Sequence, residues 1–215
     1  MNESRSGRKI RKVVHLRLEG AAANPTPRCR IRVNLRPGAR CVRMTRSPSL
    51  APLPAAAIVT GALVISGLIS RRYTPDPTHP RVRRWYKALD KPPETPPDIV
   101  FGGVWPILLM ALGYGTYRVL RAEPSPDRTA ALALAGTSLG LVTAYNKITF
   151  GDRNLTLGTG ESVVLVATAA SFVVVAHRVD AKAAAFGAPL ALWSSFGAWL
   201  TLRLARRNPA LDAGA

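Results

Sequence analysis

Fourteen consecutive residues, Val163 to Ala176 (VVLVATAASFVVVA), carry no charge on any face of a helix, and neither do the twenty from Ala183 to Leu202 (AAAFGAPLALWSSFGAWLTL). A helix on the surface of a soluble protein shows a polar stripe at helical spacing. A helix apolar all round must be buried, and 215 residues leave too little protein to bury several of them. Lipid is the simpler solvent. Five such blocks recur, at 53–70, 100–120, 129–150, 158–176 and 185–204. Crossing a bilayer takes about 20 apolar residues, range about 17–25. The last four meet this; the first does so only if Pro52 to Pro54 belong to it. The fold class expected is therefore all-α, an integral membrane bundle of five transmembrane helices. Gly113, Gly136, Ala169 and Gly187 recur within the blocks, as expected where helices pack by close backbone approach. Pro106 and Pro189 fall inside the second and fifth blocks, where each removes a backbone hydrogen bond.

The net charge of +18 is unevenly spread. Residues 1–43 hold twelve Arg and Lys against two acids, Glu3 and Glu19. They form a basic arm, expected to be a disordered or targeting segment or a stretch upstream of the true start at Met44, with the membrane domain running from 44 to 215. The arm has no Phe, Tyr or Trp to stack on bases, so a nucleic-acid partner is not expected. Both cysteines, Cys29 and Cys41, lie in it, which excludes a disulfide scaffold.

Five crossings put the termini on opposite sides. From Met44 onward, the side holding the 71–98 loop, Arg153 and the C-terminus has eleven basic residues, and the other has five. Basic flanks stay cytoplasmic, so loop 1 and the C-terminus are expected to face the cytoplasm, in a bacterial cell membrane. The arm opposes this count if it is part of the mature chain.

Loop 1 runs into the second block as Trp85 to Trp105, WYKALDKPPETPPDIVFGGVW. Its four prolines stiffen it, Trp85 and Tyr86 suit a membrane interface, and an ordered loop able to cover the bundle is expected. Trp85, Tyr86, Leu89, Lys91, Pro92, Thr95, Pro96, Pro97, Val100, Phe101, Gly102, Val104 and Trp105 follow a distinctive spacing. In this the stretch resembles the translocator protein / tryptophan-rich sensory protein (TspO/MBR) family. Phe150-Gly151-x-Arg153 and the run Pro189, Trp193, Phe196, Leu200 resemble two weaker blocks of that family. The chain departs from it at Glu94 and Ile99, commonly aromatic there, and at Gly103, Leu109, Val142, Leu190 and Thr201, which points to an altered pocket lining.

Topology alone gathers Tyr86, Trp105, Tyr145, Lys147, Glu161 and Trp193 at the loop 1 end. An apolar, aromatic-lined hollow is the usual form of a ligand site. The resemblance implies a flat lipophilic ligand, a porphyrin such as haem or a sterol-like molecule, held by Trp105 and Trp193 with Tyr86. Phe101, Tyr145 and Phe196 complete the candidate set. Packing or interface anchoring alone is the competing role for these rings. Lys147 and Glu161 sit at adjacent helix ends where an ion pair is feasible; solvation at the interface is the alternative. His15, His79 and His177 are expected at solvated positions, so no axial haem ligation and no required cofactor or metal follow. No nucleophile elbow, phosphate loop or paired carboxylates occur, and no catalytic residue is assigned. A receptor with a sensory role is the expected function. Transport of the same ligand, or degradation of a porphyrin, are the alternatives, and a homodimer is left open.

Overall fold

The computed structural model describes residues 49–214. The basic arm, both cysteines, His15 and Met44 lie outside the described residues. Six α-helices follow in order: α1 Pro52–Arg71, α2 Pro80–Ala88, α3 Asp98–Leu120, α4 Pro126–Tyr145, α5 Leu155–Val179 and α6 Ala181–Arg207. A π-helical turn, Asn146–Gly151, continues α4, and a 3-10 turn, Pro209–Leu211, follows α6. Among the described residues there is no strand.

The helix starts follow from side-chain chemistry. Pro occupies the first turn of α1, α2 and α4, where its missing N–H costs nothing and its fixed φ already suits the helix. Ser125 accepts from Arg128 N at 3.1 Å to cap α4. Asn154 accepts from Leu157 N at 2.7 Å to cap α5. Asp180 accepts from Lys182 N and Ala183 N to cap α6. Starting at Pro52, α1 gains the residues that the first block lacked.

Four helices are long and apolar enough to cross a membrane: α1, α3, α5 and α6. The fifth expected span, α4, has twenty residues but is diluted by Asp127, Arg128 and a run of Thr, Ser and Gly. The outer faces are apolar: Leu53, Ile107, Met110, Val163 and Leu192 all point away from the protein. An exposed apolar surface of this extent is unusual on a soluble monomer and marks an interaction surface.

Inside, the most extensive packing joins α5 to α6, then α4 to α5 and α3 to α6. Small residues make this possible. The Phe172 ring lies directly over Gly187, where any Cβ would collide with it. Gly115 brings α3 onto the start of α6, and a Cβ there would lie 2.8 Å from the Ala183 carbonyl oxygen. Between α1 and α4, Ser66 bonds Thr143 at 2.7 Å. Because Thr143 already donates to Leu139 O, Ser66 is the donor.

Two sequence expectations need revision. Loop 1 is not wholly irregular, because Pro80–Ala88 is helical, with its basic residues outward and Trp85 buried inward. At nine residues it is too short and too basic to register as an apolar block. The third block also changes character near its end. The α-helix stops at Tyr145 and passes into the π turn, so Asn146 to Phe150 do not continue the α-helical phase.

Candidate functional site

Two apolar clusters fill the bundle. The larger joins α3 to α6 through Leu108, Leu112, Ala135, Leu165, Phe172 and Leu190, with Trp105 and Trp193 packed against it. The smaller lies at the loop 1 end and holds Trp85, Leu89, Leu155, Leu200 and Leu204, with Tyr86, Phe101, Phe150 and Phe196 against it. An arc of rings bridges the two. Phe101 meets Trp193 edge-on at 6.0 Å, Trp193 meets Phe196 at 5.5 Å, and Phe196 meets Trp199 at 5.8 Å. These separations suit favourable aromatic pairing. A second group places Phe150 between Tyr86 (5.8 Å) and Tyr145 (5.9 Å), edge-on to both.

Loop 1 is fastened over this end by the C-terminal tail. Trp85 Nε1 donates to Leu211 O at 3.0 Å. Asp90 N donates to Asn208 Oδ1 at 2.7 Å, and Asn208 Nδ2 returns a bond to Asp90 O at 3.0 Å. Arg207 holds the Asp90 carboxylate through two nitrogens, at 3.0 and 2.9 Å. Asp212 accepts from the N–H groups of Leu155 and Thr156 and from the Thr156 hydroxyl, so the tail also caps α5. Burial pushes the Asp212 carboxyl up, but these donors and Gly214 N outweigh it and hold the group below the ordinary carboxylate value.

The family model described as the TspO/MBR family matches residues 55–207, which runs from the first turn of α1 through loop 1 to the end of α6. The chain belongs to the TspO/MBR family. It is 29% identical over 133 residues to the translocator protein of Bos taurus, covering 61% of this chain and 79% of that one. It is 32% identical over 127 residues to the human translocator protein, covering 58% and 75%. It is 25% identical over 154 residues to the tryptophan-rich protein TspO of Chlorobaculum tepidum, covering 71% and 95%. With its apolar helices, this TspO/MBR protein is an integral membrane protein.

The expected site residues of this family member are divided between the arc, the second ring group and the packing of the larger cluster. Phe101, Trp193 and Phe196 lie in direct ring contact. Tyr145 lies in the second group, against Phe150, and its hydroxyl bonds Thr201 Oγ1 at 2.9 Å. Trp105 is half-buried against the larger cluster, with no ring contact among the described residues. Tyr86 is heavily engaged. Its hydroxyl donates to Asp98 at 3.0 Å, and Lys91 Nζ sits 3.6 Å above its ring. Burial, then the neighbouring Asp98, pushes its phenol above the ordinary value of 10.0.

The Lys147–Glu161 ion pair does not form. The π turn directs Lys147 outward to Asp152, at 2.7 Å, where both side chains are about half exposed. The carboxylate raises the lysine pKa through a hydrogen bond and through its charge. Glu161 instead turns inward, 8% exposed, and neither carboxyl oxygen has a hydrogen-bond partner among the described residues. His79 bonds Asp76 at the start of α2 and stays partly exposed.

The two described hollows lie away from the aromatic arc. One of about 760 Å3 opens at the opposite end, where Arg118 pairs with Asp180. One of about 220 Å3 is an apolar groove between α1, α3 and α4. Sequence reasoning missed Asp90, Asn208, Leu211 and Asp212. Their partners are more than fifty positions away, and no local spacing signals such pairs.

Proposed function

We propose that this protein is a membrane receptor for a flat lipophilic ligand, a tetrapyrrole or sterol-like molecule, bound at the loop 1 end with a sensory or regulatory output. In this reading α4 is the fifth transmembrane span, loop 1 and the C-terminus face the cytoplasm, and binding needs no resident cofactor. The observation that carries it is the ring arc Phe101–Trp193–Phe196 at the junction of the two apolar clusters, with the unstacked Trp105 on the same helix as Phe101. Edge-on rings can rotate to receive a planar π system, and Trp offers the largest area for it. Loop 1, fastened to α6, covers the site.

Transport is the second reading. The bovine and human relatives bear the name translocator protein, and the hollow of about 760 Å3 at the far end would serve as a second mouth.

Titration of protoporphyrin IX into the purified chain in lipid nanodiscs, followed by Trp fluorescence, tests the receptor reading. Saturable quenching is expected, with affinity reduced at least about tenfold in Trp193→Ala and Trp105→Ala, since truncating a central aromatic anchor costs about 2 kcal/mol or more. Unchanged affinity in both variants overturns the site. Net flux of the porphyrin into proteoliposomes would favour transport.

A further inference from the structure

The two apolar clusters meet at a polar seam. On α5, Leu155 belongs to the smaller cluster and Leu165 to the larger, with Glu161 between them. On α6, Leu200 and Leu190 are divided in the same way, with Ser194 between. Glu161, Ser194 and Thr149 are 8%, 3% and 2% exposed. Among the described residues, both Glu161 oxygens and the Ser194 hydroxyl lack hydrogen-bond partners, and the Thr149 hydroxyl lies beside the Tyr145 phenol. Thr149 Oγ1 rests against Gly158, about one helical turn before Glu161 on α5.

Tyr145 is near enough to interact electrostatically with Glu161, yet it cannot satisfy the carboxyl. Thr201 spends its hydroxyl proton on Gly197 O, so the Tyr145 phenol donates to Thr201 and has no proton left for Glu161. Leaving a buried carboxyl unpaired is expensive, and an ionisable group inside a membrane span is paired or functional by default. Here the described residues supply no partner. The seam is also where the ring arc crosses, since Trp193 packs on one cluster and Phe101 and Phe196 on the other.

We infer that Glu161 is the acceptor for a donor on the bound ligand, so that the site selects flat lipophiles bearing an N–H or O–H at their outer edge. The inference rests on the ligand-binding reading above. A carboxyl keeps an accepting oxygen whether or not it is protonated, so an N–H satisfies it in either state. Rings that grip the faces of a planar molecule leave its edge to be read by a polar group; a sterol hydroxyl or the N–H of a fused heteroarene lies in that edge, whereas the N–H groups of a porphyrin point to the centre of its macrocycle.

Carbazole and dibenzofuran have nearly the same shape and differ by N–H against O. The full-length chain in lipid nanodiscs is titrated with each, and affinity is read from the shift in thermal unfolding over a concentration series. Wild type should bind carbazole about tenfold more tightly, the effect of one hydrogen bond to an otherwise unpaired buried acceptor. Glu161→Gln, which keeps a carbonyl acceptor, should retain the preference. Glu161→Met should bring the two probes to within about twofold. Equal affinities in wild type, or a preference that survives in Glu161→Met, overturn the assignment, as does binding of neither probe. The wild-type comparison stands even if Glu161→Met fails to fold. Protoporphyrin IX quenching, run in parallel, separates the two readings. Intact quenching without N–H preference sinks the role of Glu161 alone, whereas loss of both sinks the pocket as well.

Discussion

Trp85 and Leu211, 126 positions apart, are joined by one hydrogen bond of 3.0 Å from the indole N–H to the backbone carbonyl. The bond fastens α2 to the turn that follows α6, and the indole itself is buried in the smaller cluster. Placing a Trp there satisfies both needs with one side chain, a large apolar body and one donor.

Trp85→Phe keeps most of the ring and removes the donor. It should cost about 1 kcal/mol, the usual net value of such a bond. Thermal unfolding in detergent measures the loss, and faster amide exchange over residues 80–97 should accompany it. Arg207→Ala should speed exchange in the same segment, because Asp90 loses both of its guanidinium bonds.

Asp212→Asn should lower stability near neutral pH. The native carboxyl titrates below its ordinary value of 3.8, so its contribution is complete above that value. It is lost as the pH falls through the lower native pKa. Unfolding curves of wild type and variant should therefore differ at pH 7 and converge in strong acid. A gap that persists in acid would show that the carboxylate charge is not the cause.

Gly115→Ala and Gly136→Ala should have opposite signs. At Gly115 the new methyl would lie 2.8 Å from a backbone oxygen of α6, and overpacking of this kind costs about 1–3 kcal/mol. At Gly136 nothing lies within 4 Å, so the gain in helix propensity, up to about 1 kcal/mol, is free to appear. Equal effects in a thermal unfolding series would refute the close approach of α3 to α6.

Lys147→Ala should leave both the unfolding temperature and protoporphyrin IX affinity unchanged. Its partner is the exposed Asp152, and exposed ion pairs contribute little. Under the pairing with Glu161 that the sequence left feasible, the same change would strand a buried charge and destabilise the chain markedly.

Membrane residence and the five long helices were legible in the sequence, because hydropathy is a local property and lipid imposes it residue by residue. Tyr86, Phe101 and Trp105 were legible as well, since Trp85 to Trp105 holds them at a recognisable spacing, and Trp193 and Phe196 stood in the weaker run that starts at Pro189. Tertiary structure alone decided the rest. Lys147 turned outward because the chain leaves the α-helical phase at Asn146, and a change of pitch rotates every side chain beyond it. The clasp of Asp90, Arg207 and Asn208, the cap that Asp212 lends to α5, and the isolation of Glu161 all depend on which distant helix ends meet. Polar pairing of that kind is set by three-dimensional proximity, and apolar periodicity along the chain carries no record of it.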